Sequence, residues 1–309
     1  MTMLPDFTRS LLVSVALSVT LLVAGCSTGV TTPSAAAGQL VHFTSLDGSA
    51  TQLDGYLFRA KSNGQDRQPA IVFLHGCGGL LGRTGAINAR ELDWAARLND
   101  IGITVLMVDS FGPRHHGEMC APAHFDPGIN RARPHDAYAA LEFLQKQAYV
   151  QPNRIGVIGW SQGGGAVLNT IRADSRGRPA ALPAGDFRAA AAFYPGSCST
   201  AQQGTEWRSA IPLLVLIGEK DVWTPLAPCR ALMDSRSPTT QVTMRAYPGA
   251  YHDFDWPNMR IHEMPAFRTR AGVVPIAGTD EAARADALRL VVGYFAKALQ
   301  ADDQPNAPR

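Results

Sequence analysis

The chain has 309 residues, a formal net charge of +2, 46% hydrophobic residues and 17% charged ones. This ordinary globular composition suits one large α/β domain better than two small ones. A charge so close to zero, without a basic run, gives no case for a nucleic-acid partner.

Arg9 is followed by an apolar run over residues 10–25 that ends in small residues, the pattern of a secretory signal. The run closes on Leu22-Val23-Ala24-Gly25-Cys26, which resembles the bacterial lipobox. The resemblance implies cleavage before Cys26, lipid on that cysteine and attachment to a membrane of the bacterial cell envelope. Ser27, rather than Asp, in the next position implies the outer membrane, facing the periplasm. Residues 26–38 are rich in Ser, Thr, Ala and Gly and read as a flexible tether. The folded domain is expected over 39–300, with 301–309 a disordered tail.

The strand and helix signals then alternate. Gln39 to Ser45 and Leu53 to Ala60 read as two strands of a hairpin-like start, and Lys61 to Gln68 as a polar turn. Ala70 to His75 is a continuous apolar run of the kind buried inside parallel sheets. A helix is expected over Ala89 to Ile101, a strand over Ile103 to Asp109, a long loop over Ser110 to Ile129 and a helix over Arg131 to Gln147. Ile155 to Ile158 is a short buried strand, with a helix from about Gln162. Further strands are expected over Phe187 to Tyr194, Ile211 to Ile217 and Gln241 to Tyr247, before a closing amphipathic helix over Asp280 to Leu299. Strands that alternate with helices predict a mostly parallel sheet of about eight strands with helices on both faces. Such sheets carry their sites at the carboxyl ends of strands.

Gly159-Trp160-Ser161-Gln162-Gly163 matches G-x-S-x-G, a strand that turns sharply into a helix with a strained serine at the apex. A side chain at Gly159 or Gly163 would collide with the neighbouring element. Ser161 is the candidate nucleophile. Its acid should follow a later strand: Asp221, in Gly218-Glu-Lys-Asp221, fits, with Glu219 the competitor. Its base should come later still, and His252 lies just beyond the last strand. The order Ser161, Asp221, His252 is that of the α/β-hydrolases. In this reading His252 takes the serine proton and returns it to the leaving group, while Asp221 fixes the imidazole tautomer. One oxyanion donor is the Gln162 N–H. The other is assigned to the Cys77 N–H in the turn His75-Gly-Cys-Gly-Gly79, with Gly76 and Gly78 as alternatives. His75 reads as structural.

From about residue 40 to 300 the chain resembles the dienelactone hydrolase family of α/β-hydrolases. The resemblance is carried by His75-Gly-Cys-Gly-Gly79, Asp109-Ser-Phe-Gly-Pro-Arg114, Gly159-Trp-Ser-Gln-Gly-Gly164, Gly218-Glu-Lys-Asp221 and His252-Asp-Phe254. It implies a single-domain hydrolase that needs neither metal nor organic cofactor. Members that open dienelactones use cysteine at the position of Ser161, a carboxylate at that of Gly76, and arginines to hold the substrate carboxylate. Arg114 matches one such arginine, whereas Trp256 stands near the place of the other. Arg114, Trp160 and Trp256 are therefore expected in the substrate pocket.

The expected substrate is a small ester or lactone. No inserted segment is long enough to roof a lipid groove, and the loops 110–129 and 254–279 offer Phe111, Phe125, Phe254, Trp256 and Phe267 for an apolar substituent. Two other readings stay open: a peptidase of the prolyl-oligopeptidase kind, which shares the fold but has a propeller that nothing before residue 70 supplies, and a non-catalytic envelope-binding lipoprotein on a hydrolase fold. Besides Cys26 the chain has Cys77, Cys120, Cys198 and Cys229, whose spacing does not resemble a zinc site. Cys198 and Cys229 follow neighbouring core strands, and Cys77 and Cys120 follow two others on the same sheet edge. Disulfides 198–229 and 77–120 are expected in an oxidising compartment.

Overall fold

A computed structural model describes residues 38–61 and 67–300. The signal segment 1–25, Cys26, the tether up to residue 37 and the tail 301–309 lie outside the described residues. Among the described residues no helix is long and apolar enough to cross a membrane.

Eight strands form one sheet: β1 (Gln39–Thr44), β2 (Gln52–Phe58), β3 (Gln68–Leu74), β4 (Thr104–Asp109), β5 (Val150–Trp160), β6 (Ala189–Phe193), β7 (Leu213–Gly218) and β8 (Val242–Tyr247). Their spatial order is β1-β2-β4-β3-β5-β6-β7-β8. β2 runs antiparallel to both neighbours, and every pair from β4 to β8 is parallel. This is the α/β-hydrolase fold. Every residue of β3, β4, β6 and β7 is buried, as are the last six of β5. Their unbroken apolar runs are dictated by cover on both faces. Each fully buried Val, Leu, Ile or Phe contributes roughly 1.5–3 kcal/mol over leaving it exposed.

The cover comes from α1 (Ala89–Asp100), α2 (Pro127–Gln145), α3 (Gln162–Ile171) and α6 (Glu281–Gln300), with α1 packed on α6 and α2 on α3. Two short helices, α4 (Thr200–Gln203) and α5 (Leu226–Asp234), follow β6 and β7. The parallel register brings the ends of β3, β5, β6, β7 and β8 to one edge, where the turns holding Cys77, Ser161, Cys198, Asp221 and His252 emerge.

Several elements depart from expectation, among them β5, which runs from Val150 to Trp160 rather than from Ile155 to Ile158. α2 begins at Pro127 rather than Arg131, because Asp126 caps it by accepting from the Gly128 and Ile129 N–H groups at 2.6 and 3.0 Å. α4 gave no periodic signal in four residues. The loop 254–279 contains a two-residue hairpin, β9 (His262–Glu263) with β10 (Ile276–Ala277), too short to leave an alternating pattern. Both expected disulfides are formed: Cys77–Cys120 and Cys198–Cys229, with Cα separations of 4.9 and 4.6 Å.

Candidate active site

Ser161 stands between β5 and α3 with φ 53° and ψ −117°, a conformation L residues rarely adopt. Neighbouring backbone holds it there. Its N–H donates to Phe193 O at 2.9 Å, and its carbonyl accepts from Gly165 and Gly196 at 3.0 and 2.8 Å. The flanking glycines are dictated by contact: a Cβ on Gly159 would lie 2.3 Å from Gly163 O, and one on Gly163 2.0 Å from Leu74 O. No other residue lets β3, β5 and α3 approach so closely.

Asp221 and His252 meet directly. The His252 Nδ1 lies 2.7 Å from Asp221 Oδ2, and both side chains are buried. Asp221 Oδ1 accepts the Trp223 and Thr224 N–H groups at 2.9 Å each, and Thr224 Oγ1 donates to Oδ2 at 2.8 Å. This saturated carboxylate is an acceptor only, so Nδ1 carries the proton and Nε2 is left to face the cavity. Burial works against the imidazolium, but the charge and hydrogen bond of Asp221 prevail and raise the His252 pKa above its usual 6.5. The ring is flanked by Tyr194 and Trp223, at centroid distances of 4.4 and 4.9 Å. The Gly278 N–H donates to His252 O at 3.0 Å, tying this loop to the end of β10. Glu219 is exposed and makes no hydrogen bond or ion pair with the histidine.

Ser161 and His252 share the wall of one cavity of about 200 Å³, with no direct hydrogen bond between them. A second cavity of about 410 Å³ opens on the other side of Ser161. Cys77, Cys120, Ser161 and Trp223 border both. Gly76 presses against the elbow, since a Cβ there would lie 3.7 Å from the Ser161 Cβ. Among the described residues neither the Cys77 N–H nor the Gln162 N–H donates to another group. The cavity edge thus holds two uncommitted amides beside the serine. The Cys77–Cys120 disulfide and a hydrogen bond from Met119 N–H to Cys77 O at 2.7 Å brace the first of these turns.

Of the three expected pocket residues, only Trp256 borders either of these two cavities. Arg114 does not. Its guanidinium is held by Asp47 at 2.7 Å and by both oxygens of Asp136 at 2.8 and 2.9 Å, and it also donates to Ser110 O. Trp160 is fully buried, and its indole N–H donates to Asp255 Oδ2 at 2.8 Å. Phe125 borders the larger cavity and Phe267 the smaller, whereas Phe111 and Phe254 are buried packing. His75 is structural. Nδ1–H donates to Gly76 O at 2.8 Å and Nε2 accepts from Ser110 N–H at 3.3 Å. Burial first, then the nearby Arg133 charge, holds it neutral.

No sequence motif marks the buried polar cluster that packs around the His252 loop. Asp255 accepts from the Trp94 and Trp160 indoles at 2.8 Å each and from Tyr194 OH at 2.5 Å. Arg90 donates to Asp253 and Glu91 at 2.7 Å each and to Tyr194 OH at 3.0 Å. Its guanidinium faces the Trp256 ring at 4.9 Å. Asp253 and Asp255 flank the histidine loop, so the cluster fixes that loop.

The Dienelactone hydrolase family model matches residues 53–299. The chain belongs to that family. It is accordingly a hydrolase. Over 141 residues it is 30% identical to the thiohydrolase aneE of Aspergillus aculeatus, an alignment covering 45% of this chain and only 38% of that enzyme's length. Among solved structures it resembles the dienelactone hydrolase-like promiscuous phosphotriesterase P91 from metagenomic libraries, with a TM-score of 0.58 at 20% identity over 84% of this chain and 98% of that one. The native thermophilic esterase Est2 of Thermogutta terrifontis gives 0.57 at 16% identity, over 89% and 97%. These two likenesses speak for the fold.

Proposed function

We propose that this hydrolase uses Ser161, His252 and Asp221 to cleave small, uncharged carboxylic esters or lactones through an acyl-enzyme. The observation that carries the proposal is the buried Asp221–His252 pair at 2.7 Å, on the wall of the same cavity as a serine strained at φ 53° beside two uncommitted amides. The Ser161 Oγ attacks the ester carbonyl as His252 Nε2 takes its proton. The oxyanion accepts from the Cys77 and Gln162 N–H groups. Collapse breaks the bond to the alcohol oxygen, which leaves with the proton from His252. Water then attacks the acyl-enzyme, gives its proton to His252 and releases the acid, and the proton returns to Ser161. Serine and histidine need not touch beforehand, because such bonds commonly tighten only when substrate is bound.

The cavity walls favour an uncharged substrate. No side chain bordering the larger cavity is charged. At the smaller one Arg90 and Asp253 neutralise each other at 2.7 Å, among Trp223, Trp256, Met259, Met264 and Phe267. A substrate carboxylate would find no uncommitted cation there, and Arg114 is engaged by two aspartates. His252 borders the apolar cavity, so an aryl or small alkyl alcohol leaves on that side. The test is a panel of aryl acetates, charged aryl half-esters, lactones, thioesters and long-chain triglycerides. Short neutral aryl esters should turn over fastest, and Ser161→Ala should abolish the activity. Faster turnover of the charged half-esters or of triglycerides would overturn the substrate reading.

We further propose that Cys26 is lipidated and holds the enzyme on the outer membrane, facing the periplasm. The support is the Val-Ala-Gly-Cys ending of the apolar segment and a pair of disulfides suited to an oxidising compartment. Mass spectrometry of the mature protein should find an acylated N-terminus at Cys26; a free N-terminus elsewhere would contradict it.

A further inference from the structure

We infer that Arg133 is a positioning residue of the oxyanion hole: one side chain ties together the turns that present the Cys77 and Gln162 N–H groups and keeps a positive charge behind them. The inference rests on the hydrolase reading above and gives that site a part no motif assigns.

Arg133 lies on α2 and is fully buried. Its Nη2 donates to His75 O at 2.6 Å, and its Nη1 to Gln162 Oε1 at 3.1 Å. His75 opens the turn that leads to Cys77, and Gln162 is the first residue of α3. The two turns come from strands 86 residues apart in sequence (His75 to Ser161) and need a common anchor to keep their amides converging. The planar fork of a guanidinium can hold two acceptors at once, which an ammonium does less well.

The remaining surroundings do not make an ordinary structural ion pair. Among the described residues no carboxylate comes within ion-pair distance of Arg133, and its Nε has no partner. Its guanidinium faces the Phe111 ring at 5.3 Å. Asp136 and Asp109 act on it only from farther away. Asp136 spends its oxygens on Arg114 and Ser45, and Asp109 accepts from the Phe111 and Gly112 N–H groups. Arg114 adds a like charge, and His75 is neutral. Burial pulls the Arg133 pKa down to about 10, which still leaves it charged at neutral pH.

A buried cation without a counter-ion is costly to stability, and such groups persist where a site needs them. Here, among the described residues, no carboxylate touches the guanidinium in the resting enzyme, and negative charge reaches the two amides only when Ser161 adds to the carbonyl. A fixed positive charge behind both amides favours that state over the neutral ester, which is the selectivity catalysis requires.

The test compares wild type with Arg133→Gln, Arg133→Met and Arg133→Lys on an aryl acetate. Two inhibitors accompany it: a trifluoromethyl ketone, which forms an oxyanion adduct with serine, and the corresponding neutral acetamide. Losing a direct oxyanion donor costs roughly 10²- to 10³-fold in kcat, so an indirect support should cost roughly 10- to 100-fold in Gln and Met, with KM nearly unchanged and a smaller loss in Lys. Binding of the ketone should weaken in step with kcat, and that of the acetamide should stay as it was. Folded Gln or Met proteins with wild-type kcat would overturn the inference, as would equal weakening of both inhibitors. If neither folds, Arg133→Lys decides: lower kcat at unchanged KM supports the bridge, and wild-type kcat refutes it. A wild-type enzyme that hydrolyses no ester would overturn the hydrolase reading itself, and this inference with it.

Discussion

Around His252 the charges come in matched sets. Asp221 accepts from His252, Thr224 and two backbone amides, and Arg90 is met by Glu91 and Asp253. Around Cys77 and Gln162 there is a surplus of donors: two uncommitted amides, and an arginine without a carboxylate. The two sides of Ser161 therefore answer different demands. A histidine that cycles between neutral and charged forms needs its counter-charge in place throughout. A site for negative charge that exists only during reaction needs donors left unspent beforehand. The means of support differ as well: hydrogen bonds among side chains around the histidine loop, and a disulfide, glycine contacts and one guanidinium behind the amides.

The largest effect should come from breaking the His252 end. His252→Ala should lower kcat by at least about 10⁴-fold, because serine and histidine act as a unit. A loss of less than tenfold in a folded protein would remove His252 from the reaction.

Acid should act next in size. The folded pKa of His252 is raised above 6.5, burial opposing and Asp221 prevailing. The base must be neutral to take the serine proton, so activity is present above the folded pKa and lost as pH falls through it. Two pH units below that limb should cost about a hundredfold. A kcat/KM profile flat from pH 5 to 8 would refute this role for the base.

The smallest effect should come from loosening the Cys77 end. Cys77→Ala with Cys120→Ala keeps the Cys77 N–H but removes its brace. Stability should fall by about 2–5 kcal/mol, the usual loss for a native disulfide, and kcat by roughly tenfold with little change in KM. The same pair of substitutions at Cys198 and Cys229 should cost stability with a smaller loss of kcat. If the two double variants lose kcat equally, the bracing role of Cys77–Cys120 is wrong.

What could be read beforehand follows from how local each signal was. The apolar runs of β3, β4 and β7 declare buried parallel strands, and the elbow glycines, acid and histidine lie at strand ends in a fixed order. Arg114 misled because its partners, Asp47 and Asp136, are 67 and 22 residues away and nothing nearby in sequence shows that its charge is spent. Trp160 misled because adjacency to Ser161 does not put a side chain on the same side: the strand pleat turns it into the core, toward Asp255. Arg90 and Arg133 belong to no motif. Their meaning lies in a tertiary burial that a short window cannot display. The paired Arg90-Glu91 at the start of an otherwise apolar helix face was the one trace of it in sequence.

Ser161 should behave as a nucleophile activated by His252. The most direct measurement is covalent labelling by a fluorophosphonate, with the modified peptide located by mass spectrometry and the rate followed against pH. A single adduct on Ser161 is expected, absent in Ser161→Ala and strongly slowed in His252→Ala, with a rate that rises through the raised histidine pKa. An adduct on another residue, or labelling that persists unchanged in Ser161→Ala, would contradict it.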